Sequence, residues 1–215
     1  MMQRDLYGED VQVDWKGNEV TVENFLRVLT GRHAAGTPRS KRLMTDETSN
    51  VLIYLSGHGG DGFLKFQDAE EIGAEDLAEA VAEMRATGRF NEMLIIADTC
   101  QASTLAEAIK TPGVVTIGSS ARGENSYSHH TDPGLGLAQI DRFTYRTLEF
   151  FDGITARDKT TSIGTFFRSF DPTFLKSHAI YRDELALRNL DDMPVTDFFA
   201  NVADEIGVTS SAYPI

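Results

Sequence analysis

Two residues of this 215-residue chain could act together as a nucleophile and a base: Cys100, which is its only cysteine, and His58. Both follow apolar runs, Cys100 in the segment LIIADTCQAS and His58 in the segment VLIYLSGHGG. A thiol attacks carbonyl carbon well only as a thiolate, and a neighbouring imidazole favours the thiolate and can later pass a proton to a leaving amine. The two residues are therefore candidates for cysteine-dependent acyl transfer.

The residues beside these candidates could stabilise an intermediate of such a reaction. Glycines on both sides of His58 would let the backbone approach a substrate closely. The N–H groups of Gly59 and Cys100 could then bind the oxyanion of a tetrahedral intermediate, and each such donor is worth about 2.7–4 kcal/mol in the transition state. The sequence thus predicts an oxyanion hole made by Gly59 and Cys100.

Each candidate also has a structural interpretation. A lone cysteine at the end of a strand is more often a packing residue than a nucleophile, because free cysteines are among the most buried residues. The joint pattern favours chemistry, since two apolar runs end in a His segment and a Cys segment with a helical pattern between them. Asp98 suggests a catalytic triad. However, it ends its predicted strand and could point away from His58 to cap the following turn, and we favour this structural role.

The elements that must position these residues follow from the apolar pattern. Runs at 51–56, 93–97 and 114–120 have the length of buried strands, and helical patterns alternate with them. This order builds a parallel sheet with helices on both faces, so we predict one α/β domain over residues 1–215, doubly wound, with function at the carboxyl ends of its strands. Further predictions are an extended stretch at 11–15, a helix from Thr21 to Gly31, a hairpin arm at 63–66, and helices at 74–84, 103–110 and 139–151.

The composition excludes several classes of function. A net charge of −13 and a pI near 4.7 argue against nucleic-acid binding, because no basic face offsets 33 carboxylates. The apolar runs are too short to span a membrane, and the first four residues resemble no signal core, so a soluble chain is predicted. A single cysteine excludes an internal disulfide.

Two other motifs are set aside, so neither a metal nor a cofactor is predicted. The group His129, His130 and Asp132 suggests a metal site, but adjacent residues rarely point at one ion, and a solvated turn is the better interpretation. The glycines at 57–62 lack the Lys-Ser/Thr pair of a phosphate-binding loop and do not have dinucleotide-binding spacing.

Several segments resemble the clan of caspase-like cysteine peptidases that includes legumain, and within it the family of catalytic subunits of glycosylphosphatidylinositol (GPI) transamidases. NVLIYLSGHGGDGFLKFQDAEEI resembles the family's histidine block, and FNEMLIIADTCQAS its cysteine block. GHGGDGFLKFQD and SYSHHTD are the most specific of these matches. The resemblance covers almost the whole chain and continues at 20–32, 114–151 and 194–202.

The resemblance implies a caspase-like fold with His58 and Cys100 as the catalytic dyad and the Gly59 N–H in the oxyanion hole. Cys100 would attack a precursor protein at its attachment site, release the C-terminal signal and form a thioester, which the ethanolamine-phosphate amine of a GPI lipid would then resolve. It also implies other transamidase subunits as partners and a position at the lumenal face of the endoplasmic reticulum membrane. A substrate-side loop would contain Ser119, Ser120, Glu124 and Ser126.

The chain also departs from this family. Members carry a secretory signal, a further first strand and a C-terminal membrane helix, which the sequence given does not contain, so a truncated product is expected. The missing strand would leave a strand edge uncovered, and it carries an asparagine that helps the dyad and a cysteine that links to a partner. The family's calcium motif reads Gln12-Val13-Asp14 here, so no calcium is predicted. A legumain-like endopeptidase and an inactive assembly module are the alternatives.

Overall fold

The three apolar runs form the parallel strands of a central sheet in the computed structural model, which describes residues 12–134 and 136–199. All three begin at the predicted residue and end within two residues of the predicted position, because continuous apolar runs of this length fit a strand covered on both faces. The strands are β1 (Val51–Ser56), β2 (Gly59–Gly60), β3 (Phe63–Phe66), β4 (Glu70–Gly73), β5 (Met93–Asp98), β6 (Val114–Gly118), β7 (Ser128–Asp132), β8 (Leu137–Asp141) and β9 (Ile180–Arg182).

The central sheet has the strand order β1-β5-β6-β9, in which β9 runs antiparallel to β6. Two small antiparallel sheets flank it: β2, β3 and β4 form one, and the hairpin of β7 and β8 forms the other. Within the described ranges β1 pairs on one side only, with β5, so it forms an edge of the central sheet.

Helices cover both faces of the central sheet, as predicted. Alternate residues of β5 pack into two separate cores, Met93 and Ile95 on the face covered by the first two helices, and Leu94 and Ile96 on the face covered by the later ones. The helices are α1 (Val22–Thr30), α2 (Ala74–Ala86), α3 (Arg142–Phe151), α4 (Ile163–Arg168), α5 (Pro172–Leu175) and α6 (Thr196–Phe199). None of the helices in the described part of the chain combines the length and the apolar character needed to cross a bilayer.

The ends of α1 follow the predicted signals. Thr21 accepts a hydrogen bond from the Asn24 N–H at 3.1 Å, and Gly31 ends the helix with a left-handed φ of 73°.

Three other sequence predictions were wrong in detail. The helix predicted at 103–110 is a short 3₁₀ helix, Ala102–Ala106. The helix predicted at 139–151 begins only at Arg142, because the preceding residues pair with β7 as part of β8. The third strand ends at Gly118, before the two serines. Residues 12–15 form no strand, and Val11 lies outside the described residues.

Candidate active site

His58 and Cys100 reach the same edge of the sheet through the register of their strands. Ser56, the last residue of β1, pairs with Asp98, the last residue of β5, and each candidate lies two residues beyond this pair. The Gly57 N–H still bonds to the Asp98 carbonyl at 3.3 Å, so the two chains leave the sheet together. His58 is exposed and Cys100 is half-buried, so solvent or a substrate can reach both.

Two buried serines fix the backbone beside Cys100. The Ser119 hydroxyl accepts from the Thr99 N–H at 3.1 Å and lies 3.1 Å from the Thr99 carbonyl, to which it donates. The Ser120 hydroxyl donates to the same carbonyl at 2.7 Å and accepts from the Ala102 N–H at 3.1 Å. Both serines are fully buried. They brace the turn that carries the thiol.

The antiparallel pairing of β2 with β3 sets the direction of the Gly59 backbone N–H. The His58 carbonyl accepts from the Lys65 N–H at 2.8 Å, so the next pair, Gly59 and Leu64, is a non-hydrogen-bonded pair of the antiparallel ladder. The Gly59 N–H therefore points away from β3. A Cβ at Gly59 would lie 2.5 Å from Thr99 Oγ1 and 2.7 Å from the Phe63 carbonyl oxygen, so this close approach requires glycine.

A residue that sequence reasoning missed, Thr104, joins the two candidate segments. Its hydroxyl accepts from the Gly62 N–H at 2.7 Å and lies 3.3 Å from the Gly60 carbonyl, both in the hairpin that follows His58. It also donates to the Gln101 carbonyl at 2.7 Å, directly after Cys100. The sequence offered no signal for this link, because a threonine in a short helix has no local preference for such distant partners.

Asp98 has a structural position, as favoured from the sequence, but its partners differ from the predicted ones. Instead of capping the turn that follows β5, its fully buried carboxylate accepts from Ser126 Oγ at 2.8 Å, and from the N–H and hydroxyl of Thr144 at 3.2 and 2.6 Å. Thr144 lies in the first turn of α3, where N–H groups lack partners within the helix. Asp98 therefore joins β5 to the start of α3.

The four residues predicted for a substrate-side loop all bond within the chain. Ser119 and Ser120 brace Thr99, and Ser126 donates to Asp98. Glu124 binds His178 and the loop backbone. Contact between these side chains and a substrate stays a prediction.

An open cavity of about 310 Å³ lies beside the end of β1. Asp141 is its ionisable residue. Burial raises the pKa of Asp141, the nearby Asp98 carboxylate raises it further, and His58 opposes the rise. Asp141 was not among the predicted site residues, because the apolar pattern predicted a helix over residues 139–151. The lining residues are Ser56, Ala138, Gln139, Ile140, Asp141 and Thr144.

The pair His129 and His130 lies on β7 instead of in the predicted turn. Their rings contact each other, with centroids 4.1 Å apart, and both contact the ring of Tyr145. Over residues 12–134 and 136–199, no three His, Cys, Asp or Glu side chains are grouped so as to hold a metal ion.

Tyr54 extends the Asp98 network and gives it a pH dependence. The Thr144 hydroxyl donates to Asp98, so Tyr54 must donate to Thr144, 2.7 Å away. Burial raises the pKa of Tyr54 from 10.0 to about 12. An unfolded tyrosine ionises first, so this contribution to stability is complete below about pH 10 and is lost by about pH 12.

We therefore expect the free energy of unfolding to fall by about 2–3 kcal/mol more in the wild type than in Tyr54→Phe across that alkaline range. Urea unfolding at several alkaline pH values measures the difference. Parallel pH profiles for the two proteins would contradict the assignment.

This chain is similar in sequence to a known protein family and to several curated proteins. The family model described as the peptidase C13 family matches residues 1–197. The GPI-anchor transamidase of Saccharomyces cerevisiae is 50% identical over 202 residues, covering 94% of this chain and 49% of that protein. Those of Schizosaccharomyces pombe and Homo sapiens are 48% and 45% identical, covering 93% and 94% of this chain and 53% and 51% of the relatives. The chain thus spans about half the length of the curated relatives it matches.

Among solved structures, caspase-1 from Spodoptera frugiperda resembles the chain with a TM-score of 0.43 and 14% identity. The match covers 68% of this chain and 55% of that chain.

Proposed function

The chain belongs to the peptidase C13 family, and from this premise we propose that it carries the catalytic dyad of a GPI-anchor transamidase. The observation that supports the proposal is the strand register, which puts His58 and Cys100 equally far beyond the Ser56–Asp98 pair. The identity of 45–50% to proteins named GPI-anchor transamidase supports the reaction class.

In the proposed first step, His58 accepts the thiol proton, and the Cys100 sulfur attacks the carbonyl carbon of the attachment residue in a precursor protein. The oxyanion of the tetrahedral intermediate accepts hydrogen bonds from the N–H groups of Gly59 and Cys100. The carbon–nitrogen bond then breaks, and His58 gives its proton to the departing amine of the C-terminal signal. The product is a thioester on Cys100.

In the second step, the ethanolamine-phosphate amine of the GPI lipid attacks the thioester carbonyl. The amine loses a proton to His58, the carbon–sulfur bond breaks, and the proton returns to the Cys100 sulfur. Water in place of the amine would give hydrolysis, so the outcome depends on which nucleophile reaches the thioester first. The cavity beside Ser56 and Asp141 is a candidate site for the side chain of the attachment residue. The backbone of the loop with Glu124 would flank the substrate.

The setting of the reaction belongs to the same proposal. A GPI-anchor transamidase joins a precursor protein to a GPI lipid, so both are proposed partners together with the other transamidase subunits. The proposed location is the lumenal face of the endoplasmic reticulum membrane.

The partition between amine and water tests this function. The chain is incubated with a peptide that has a small attachment residue and an apolar C-terminal segment, with increasing phosphoethanolamine, and the products are identified by mass spectrometry. We expect the amide product to increase with the amine concentration while hydrolysis decreases, because both reagents compete for one thioester. A peptide with a bulky attachment residue is the control. Hydrolysis alone at every amine concentration would assign the chain to the endopeptidases instead.

A further inference from the structure

One loop connects the residue that follows Cys100 to a segment much later in the sequence, Ser177 and His178. This loop, residues 121–124, follows β6 and its two serines. Its last residue, Glu124, accepts a hydrogen bond from the Gln101 N–H through its backbone carbonyl at 2.9 Å. In return, the Gln101 side-chain oxygen accepts from the Gly123 N–H at 2.9 Å. Gln101 and the loop are therefore held by two bonds in opposite directions.

Gln101 needs such support because of its backbone conformation. Its φ of 53° and ψ of 33° are left-handed, which costs a residue with a Cβ roughly 1–2 kcal/mol. Such conformations persist where the surroundings fix them, and they cluster at active sites. Because Gln101 directly follows the thiol residue, its conformation sets the direction in which the chain leaves Cys100. A change in the Gln101 backbone would therefore alter the path of the chain beside the thiol residue.

The Glu124 side chain keeps the loop in place. Its carboxylate accepts from the Ala121 N–H at 3.1 Å, from the His178 N–H at 2.8 Å and from His178 Nδ1 at 2.7 Å. A carboxylate only accepts, so Nδ1 must carry the proton. The backbone and side-chain bonds from His178 lower the pKa of Glu124, so the carboxylate is ionised at neutral pH.

The residue before His178 supports the same contact. The buried Ser177 hydroxyl donates to the Ser119 carbonyl at 2.7 Å. Ser177 and His178 thus clamp both the start and the end of the segment that follows β6. His178 is therefore tied to the nucleophile through Glu124 and Gln101.

We propose that Glu124 is a positioning residue for Cys100 and that His178 anchors it. Glu124 acts through Gln101 and does not touch the reacting atoms. This assigns to Glu124 a different task from the substrate contact implied by resemblance, because three donors of its own chain already occupy the carboxylate. The proposal depends on the proposed function only where peptide turnover is measured.

The test compares Glu124→Gln, His178→Ala and His178→Asn with Glu75→Gln, which changes an exposed carboxylate on α2. Two experiments are made: one measures the rate of Cys100 alkylation by iodoacetamide as a function of pH, and the other measures kcat and KM for the peptide. Glu124→Gln should lower kcat by about tenfold to a hundredfold with KM unchanged, since a misplacement of about 1 Å has effects of this size. It should also slow alkylation and shift its pH profile. His178→Asn keeps a donor near the Nδ1 position and should resemble the wild type more closely than His178→Ala.

Three results would overturn the proposal. A higher KM with kcat and alkylation unchanged would make Glu124 a substrate contact. If Glu124→Gln has lower thermal stability but the same alkylation profile as the control Glu75→Gln, Glu124 is a structural residue only. If Glu124→Gln does not fold, the two His178 variants decide. Alkylation of Cys100 at the wild-type rate in both of them would also overturn the proposal. If the wild type itself does not turn over the peptide, the proposed function fails, and the alkylation data still decide the role of Glu124.

Discussion

Cys100→Ala should abolish formation of the thioester and lower peptide turnover by about 10⁴- to 10⁶-fold, because no other group in the proposed reaction can form the covalent intermediate. Cys100→Ser should also be severely impaired, although its shape is nearly the same, since a hydroxyl is a weaker nucleophile than a thiol. The measurement is a turnover assay together with the intact mass of the chain after brief reaction with the peptide. The wild type should gain the mass of the acyl group.

The composition makes this result easy to interpret. The chain has one cysteine, so a thiol-linked acyl group can only be attached to Cys100. His58→Ala should also lose turnover but keep a thiol that iodoacetamide modifies slowly. The matched control is His130→Asn, an exposed histidine on β7 whose left-handed φ of 51° suits asparagine. Turnover that survives in Cys100→Ala would exclude Cys100 as the nucleophile.

Asp98→Ala should lower the free energy of unfolding by about 3–5 kcal/mol. The substitution removes a fully buried acceptor from the half-buried Ser126 hydroxyl and from the N–H and hydroxyl of the half-buried Thr144. Each donor left without its partner costs up to about 1–3 kcal/mol, and the total is a large part of the roughly 5–15 kcal/mol that stabilises a typical domain. Urea unfolding followed by circular dichroism measures the loss.

Two further variants separate the possible causes. Asp98→Asn keeps the shape and one acceptor oxygen but turns an NH₂ group towards a donor, so we expect a smaller loss, about 1–3 kcal/mol. Asp183→Ala, at an exposed carboxylate outside the site, is the control and should change stability by less than about 0.5 kcal/mol. A loss in Asp98→Ala no greater than in this control would show that the buried network does not stabilise the fold.

The sequence predicted the parts of the fold that have local signals. The strands β1, β5 and β6 have continuous apolar runs, and α1 has a threonine cap and a terminal glycine, so each was found without knowledge of distant contacts. The same reasoning placed Gln139 in a helix, because nothing local shows that residues 137–141 pair with β7. Pairing between strands depends on the partner, and a single segment does not contain that information.

Some parts of the candidate site could likewise be predicted from local sequence, and others could not. His58 and Cys100 could be predicted because both follow recognisable strands, and parallel neighbours end at the same edge. The directions of the Ser119, Ser120 and Thr104 hydroxyls could not be predicted, because each depends on packing between segments that are distant in the chain. The two serines were predicted to lie near a substrate, and their hydroxyls bond to the backbone of Thr99 and Ala102 on either side of Cys100.

Because Ser56 pairs with Asp98, the distance between His58 and Cys100 depends on the two short segments that connect each of them to this pair. It does not depend on the length of the chain between His58 and Cys100. The chain from β2 to the end of α2 is a long connection that leaves the central sheet after β1 and returns to it at β5. Homologous chains could therefore lengthen or shorten this connection without moving His58 relative to Cys100. A single inserted residue between Ser56 and His58, or between Asp98 and Cys100, would change that spacing at once.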